Sequence, residues 1–226
     1  MHWLPEGVST YSPSIDTMFY VILAITGTAF VLTEAILFYF SFRYRARQGV
    51  RARYTHGNSR LELIWTIVPA VMLVFLGLSS RKIWVDIKAH VPETDQEIGI
   101  IASQFDWEIH YRGADGKLDT ADDVVIHNDM SLPVNVPVKI RLRAKDVIHS
   151  FFVPAFRLKQ DAVPGLTIDV WVQPTKTGIY EIACAELCGF GHGTMRGQIT
   201  VLEPDQFQTW LKEQEANVVP AEAPPA

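Results

Sequence analysis

Both cysteines of this 226-residue chain fall in one short segment, Cys184-Ala185-Glu186-Leu187-Cys188-Gly189-Phe190-Gly191-His192-Gly193-Thr194-Met195. Thiolate and thioether ligands favour copper, and imidazole suits it too. The glycines between them let the backbone fold tightly around an ion. With both sulfurs deprotonated, two thiolates can bridge two copper ions and share one electron between them, so little geometry need change on reduction. Three other chemistries use some of these residues. A disulfide in an exported domain would account for the cysteines but gives no reason for His192 and Met195. Zinc accepts Cys and His, but Met is a poor zinc ligand. A mononuclear blue-copper site normally uses one Cys rather than two. On residue types alone all three stay open, with copper the best match.

The elements that must position this loop read as β. From Pro92 the chain is rich in β-branched and aromatic residues broken by turn signals, and it predicts an all-β domain over 83–203. Val138 to Arg143 alternates apolar and charged with the period of two of a strand with one buried face, as does Leu166 to Val172. Ile179 to Ala183 and Gln198 to Leu202 are further strands, so the cysteine segment links one strand ending near Ala183 to another starting at Gly197. The spacing suits a small Greek-key sandwich or barrel. Cupredoxin-like sandwiches place Cys, His and Met ligands on such a loop and take one more His from a distant strand end, for which His149 is the candidate. Gly113-Ala114-Asp115-Gly116-Lys117 with Asp119, Asp122 and Asp123 predicts a polar hairpin, and the full ligand pattern of a calcium loop is missing. Over 204–226, Pro204 opens a helix running to about Glu215, and the Pro- and Ala-rich tail from Val218 to Ala226 is expected to be disordered.

Upstream, Met18 to Phe42 carries only Glu34 as a formal charge, and Leu63 to Ser80 carries none. Each run is of the length that crosses a bilayer as a helix. The expected organisation is an exported N-terminal segment over 1–16 and a two-helix transmembrane hairpin over 17–82, with Ile83 to Val91 as connector. A cleaved signal peptide is the competing reading of the first run, but it lacks a basic leading region and a small-residue cleavage site. The intervening loop, 43–60, carries Arg43, Arg45, Arg47, Arg51, Arg53 and Arg60 and no acid, which predicts a cytoplasmic loop with both termini and the β domain on the opposite face. From Lys88 onward 12 basic residues face 20 acidic ones, a net of −8. Such a domain disfavours nucleic acid and favours a cationic partner, although acidity for solubility alone is common.

The cysteine segment resembles the dinuclear copper-A motif of cytochrome c oxidase subunit II, Cys-x-Glu-x-Cys-x-x-x-His-x-x-Met, with every position filled. The resemblance extends over about 15–215. It includes Asp146-Val147-Ile148-His149-Ser150-Phe151, Lys159-Gln160-Asp161-Ala162-Val163-Pro164-Gly165 and Leu61-Glu62-Leu63-Ile64-Trp65-Thr66-Ile67-Val68-Pro69. It implies one copper held by His149 and Met195, a second by His192 and the carbonyl of Glu186, and bridging by Cys184 and Cys188. The Glu186 carboxylate would face a magnesium or manganese ion shared with the large catalytic subunit. Glu62 would lie near the mouth of a proton channel in that subunit, or would simply flank a helix. Where the family commonly has Gln-Trp-x-Trp for electron uptake, this chain has Gln104-Phe105-Asp106-Trp107, so Phe105 or Trp107 would take that part, or both rings would only pack. Glu34 is expected to face protein rather than lipid.

The function so implied is that of the electron-accepting subunit of a respiratory oxidase coupled to dioxygen reduction and proton translocation. Its partners would be the haem-copper subunit I, subunit III, a cytochrome c-like donor and the lipid bilayer. It would sit in a bacterial inner membrane, or in the mitochondrial one with the domain in the intermembrane space. No Cys-x-x-Cys-His marks a fused haem domain, so the donor is expected to be a separate molecule. A membrane-anchored copper chaperone would instead be thioredoxin-like, and a nitrous oxide reductase would need a second, histidine-rich cluster.

Overall fold

The computed structural model describes residues 4–52 and 54–217; Arg53 of the basic loop and the tail from Val218 lie outside the described residues. The chain divides into two compact units, Ser14–Ala89 and the remainder, in which the segment up to Pro13 joins everything from His90 on.

In the first unit, helices α1 (Ser12–Arg43) and α2 (Ser59–Lys88) are 32 and 30 residues long. Both exceed the roughly 20 residues that cross the ~30 Å hydrocarbon core of a bilayer. Their surfaces expose Phe30, Leu37, Phe40, Trp65, Leu73 and Phe75. That much contiguous apolar surface belongs against lipid or protein rather than water. Along α1 and α2 the hydroxyls of Thr26, Thr33, Ser41 and Thr66 each donate to the carbonyl one turn back, at 2.8 Å, so they bring no unpaired donor into the apolar segment. Asn58 caps α2: its side-chain oxygen accepts from the N–H groups of Arg60 and Leu61, and Glu62 sits in the first turn, where the helix dipole favours a carboxylate. α2 continues through the connector expected from Ile83. Ile83 and Ile87, one turn apart and both partly buried, carry the helical spacing onward to Lys88.

The second unit is a sandwich of ten strands: β1 (Glu97–Ser103), β2 (Asp106–Tyr111), β3 (Val124–His127), β4 (Asp129–Pro133), β5 (Val138–Ala144), β6 (His149–Val153), β7 (Leu158–Ala162), β8 (Ile168–Val172), β9 (Gly178–Cys184) and β10 (Arg196–Leu202). One sheet runs β3-β2-β1-β5-β8, the other β4-β10-β9-β6-β7. The pairs β1·β5 and β4·β10 are parallel, and the crossovers they require make the Greek key. Alternation along β5 buries Val138, Ile140 and Leu142 and leaves the basic residues between them on the outer face. With Ile100, Ile109, Leu132, Phe151, Ile182 and Ile199 they fill the space between the sheets. β8 starts at Ile168 rather than Leu166 because Gly165, at φ +79°, and the Leu166 N–H bonded to the Val163 carbonyl form a turn there.

Two additions close the sandwich. Helix α3 (Pro204–Asn217) buries Phe207 and sets Trp210 edge-on to Tyr111. The N-terminal segment lies along the chain between Ala155 and Thr175. The Val8 N–H bonds the Ala155 carbonyl at 2.8 Å, the Thr175 N–H bonds the Val8 carbonyl at 2.9 Å, and the Thr10 N–H bonds the Gln173 carbonyl at 3.1 Å. In the loop between β2 and β3, the carboxylates of Asp122 and Asp123 accept the backbone N–H groups of Asp115 and Asp119, which spends them on the turn itself.

Candidate metal centre

Local folding brings the cysteine segment and His149 together. β9 ends on Cys184 and β10 starts just after Met195, and the Cys184 N–H closes the neck of the loop on the Met195 carbonyl at 3.1 Å. β6 pairs with β9 at Phe151 and Cys184, and the Ala185 N–H bonds the Ser150 carbonyl, so His149 at the start of β6 stands beside Cys184. The glycines are needed for close approach. A Cβ on Gly191 would lie 2.5 Å from the Phe105 ring, and one on Gly189, at φ +136°, would lie 2.6 Å from the Gln104 amide nitrogen.

The donor atoms converge on the two thiols. The sulfurs of Cys184 and Cys188 are 3.7 Å apart, well beyond the roughly 2.05 Å of a disulfide, and both cysteines are free and buried. His149 Nδ1 is 3.9 Å from Cys184 Sγ, His192 Nδ1 is 3.6 Å from Cys188 Sγ, Met195 Sδ is 3.8 Å from Cys188 Sγ, and the Glu186 carbonyl is 3.3 Å from Cys184 Sγ. All six residues picked out as metal ligands from the sequence therefore lie around one point, drawn from two separate stretches of chain.

Charge and burial explain why such a cluster calls for a cation. Burial pushes the Cys188 thiol up to about 11, and the neighbouring Cys184 adds to the shift. Two adjacent thiolates are therefore unfavourable here without positive charge between them, which a soft metal ion would supply. The buried thioether of Met195 suits copper better than zinc, and the two thiols exceed what a mononuclear blue-copper site uses.

Two residues that the sequence segments include without a ligand role hold the ligands in place. Asp146 Oδ1 lies 2.8 Å from His149 Nε2, which leaves Nδ1 to face the sulfurs. Burial pushes the Asp146 carboxyl up, but His149 and the N–H groups of Gln104 and Val147 outweigh it and hold it below the usual range. The Gln104 amide donates to the Cys188 carbonyl. An Asp three residues before a His is common enough to carry no signal, and Gln104 comes from the distant turn between β1 and β2.

The remaining site residues separate. Phe105 is 38% exposed and lies against Gly189 and Gly191 at the loop surface. Trp107 is fully buried, edge-on to Phe151 at 5.5 Å and 6.3 Å from the His149 ring, so it packs the core and offers no face to a docked donor. The Glu186 side chain is exposed. Glu62 belongs to the helical unit and is exposed in the first turn of α2.

Comparison with known proteins agrees along both units. Residues 101–202 match the family described as cytochrome c oxidase subunit II, periplasmic domain, and residues 3–83 match its transmembrane domain. The alternative cytochrome c oxidase subunit 2 of Bradyrhizobium diazoefficiens is 34% identical over 94% of this chain and 83% of its own length. Cytochrome c oxidase subunit 2 of Thermostichus vulcanus is 32% identical over 94% of this chain and 79% of its own. The solved periplasmic domain of subunit II of cytochrome oxidase from Bradyrhizobium japonicum superposes with a TM-score of 0.51 at 28% identity, covering 57% of this chain and 99% of that one, and has the same cupredoxin-like sandwich. The two apolar helices together with the transmembrane family match make this an integral membrane protein. Its sandwich, its helical hairpin and its likeness to these subunits agree, and the chain belongs to the cytochrome c oxidase subunit II family.

Proposed function

We propose that this chain is the electron-accepting subunit of a haem-copper respiratory oxidase, taking electrons from a cytochrome c-like donor and passing them to the catalytic subunit I. The observation that carries the reading is the pair of unbonded sulfurs 3.7 Å apart, ringed by His149, His192, Met195 and the Glu186 carbonyl. A dinuclear copper centre held there would supply a one-electron acceptor. The protein's part is to hold the geometry. The thiolates of Cys184 and Cys188, the imidazoles of His149 and His192, the Met195 thioether and the Glu186 carbonyl would hold that centre. Asp146 fixes the His149 ring, and burial keeps water from the sulfurs.

Phe105, exposed in the turn between β1 and β2 and lying against the cysteine loop, is the apolar contact for the donor, and the acidic domain steers a cationic donor toward it. The Glu186 carboxylate is free to reach a magnesium or manganese ion shared with subunit I. Glu62 serves proton delivery to that subunit, and subunit III completes the assembly. The basic loop is cytoplasmic and the sandwich is on the opposite face. Packing of the segment before α1 with the chain after α2 in one unit supports this, because an even number of crossings requires both to lie on one side.

The test is Cys188→Ser in the assembled oxidase. The wild type is expected to show purple absorption and a delocalised seven-line copper signal in electron paramagnetic resonance, and the variant to lose both. A purple centre that survives the substitution, or a Cys184–Cys188 disulfide in the mature wild-type complex, would overturn the reading.

A further inference from the structure

Between the start of α1 and the end of α2 the helical unit holds a groove of about 720 Å³ that no part of the electron-transfer reading uses. Ile15, Met18, Phe19 and Ile22 line one wall; Ile83, Trp84 and Ile87 line the other, with Gly77 and Ser80 keeping its deeper end wide. From Gly77 to Ile87 the groove runs about 15 Å along α2. One cationic side chain, Arg81, lines it. Arg81 stands immediately after the uncharged run that ends at Ser80, where the sequence changes from membrane interior to membrane surface. Trp84, exposed one turn further on, is the residue type that settles at the headgroup level.

We propose that this groove binds an anionic phospholipid, with an acyl chain along the apolar walls and the phosphate on the Arg81 guanidinium. The chemistry divides as the walls do. A flexible hydrocarbon chain fills an irregular apolar channel, and a guanidinium offers a phosphate two parallel N–H donors. Arg81 can extend along the helix toward the surface while its stem stays in the groove. A partner helix in the same place would have to bring a carboxylate to Arg81 or bury its charge unpaired, whereas a lipid brings the counter-charge already at the correct depth. At Gly77 an added side chain would meet open space, so the groove can be filled without moving the backbone.

The test uses the intact oxidase complex in nanodiscs and two photoactivatable probes with the same acyl chains, phosphatidylglycerol and phosphatidylcholine. The phosphatidylglycerol probe is expected to label peptides spanning 15–22 and 77–87 severalfold more than its zwitterionic counterpart. Arg81→Gln should erase that preference, Arg81→Lys should keep most of it, and Gly77→Phe should lower labelling by both probes. Equal labelling by the two probes that is indifferent to Arg81→Gln would overturn the proposal, as would a photoreactive residue at position 77 cross-linking to a polypeptide instead of lipid. If Gly77→Phe fails to assemble, the Arg81 pair still decides.

Discussion

The ligands themselves were legible because their chemistry is rare: Cys184, Cys188, His192 and Met195 crowd into one loop, and no core-packing demand explains that mixture. What supports them was not, because Asp146 and Gln104 act through contacts that only the folded sheets create. The dependence can be measured. Asp146→Ala frees Nε2 of His149 and lets the ring turn away from Cys184. Copper affinity is then expected to fall about 10- to 100-fold, read as copper retained per complex after dialysis against a chelator, with the protein still assembled. Unchanged retention would mean that packing against Trp107 alone orients the ring. Trp107 also shows the limit of reading type for role. An aromatic beside a functional loop fits donor contact and core packing equally well in sequence, and its complete burial, which excludes direct contact with a donor, is seen only in the folded domain.

Among the elements, β5 could be read directly, because Val138 to Arg143 alternates, whereas its pairing with β1 and β8 is set only in the folded sheet. Its outer side was less transparent. Glu97 on β1 meets Arg112, just past the end of β2, and Lys139 on β5, a cluster whose members are far apart in the chain. Burial pushes the Glu97 carboxyl up, but hydrogen bonds from Arg112 and Lys139 outweigh it, so its folded value is depressed. In the unfolded chain Glu97 binds its proton at higher pH. Stability from this cluster is therefore complete above the ordinary glutamate value of about 4.3 and is lost as pH falls through the lower, folded one. Glu97→Gln should flatten the acid limb of the stability curve below about pH 4.5, measured as thermal midpoint against pH. An acid limb identical to wild type would show that other carboxylates carry it.

At the scale of the whole molecule, the excess of acid in the chain from Lys88 on predicts that electron delivery from a cationic donor slows as ionic strength rises, since the Debye length shrinks from ~10 Å at 0.1 M to ~3 Å at 1 M. Turnover independent of salt would remove the docking argument. The hydropathy of the two spans was plain in sequence. The attachment of the first residues to the sandwich was hidden, because Val8-Ser9-Thr10-Tyr11 has no periodicity and its partners lie some 150 positions away. A fragment starting at His90 loses the backbone bonds to Ala155, Gln173 and Thr175 and uncovers Phe156 and Trp171. Its melting temperature is expected to be about 10 °C below that of the same domain supplied with a peptide covering residues 4–13; equal values would show the segment to be ornamental. The segment leaves the ribosome ahead of both helices, yet its seat lies in the chain that follows them. The sandwich can therefore be finished only after both helices have been threaded, and only when the leading residues have emerged on the same side as the trailing domain. A chain in which only one of the two helices crosses keeps the leading residues and the trailing domain on opposite sides and leaves that seam open.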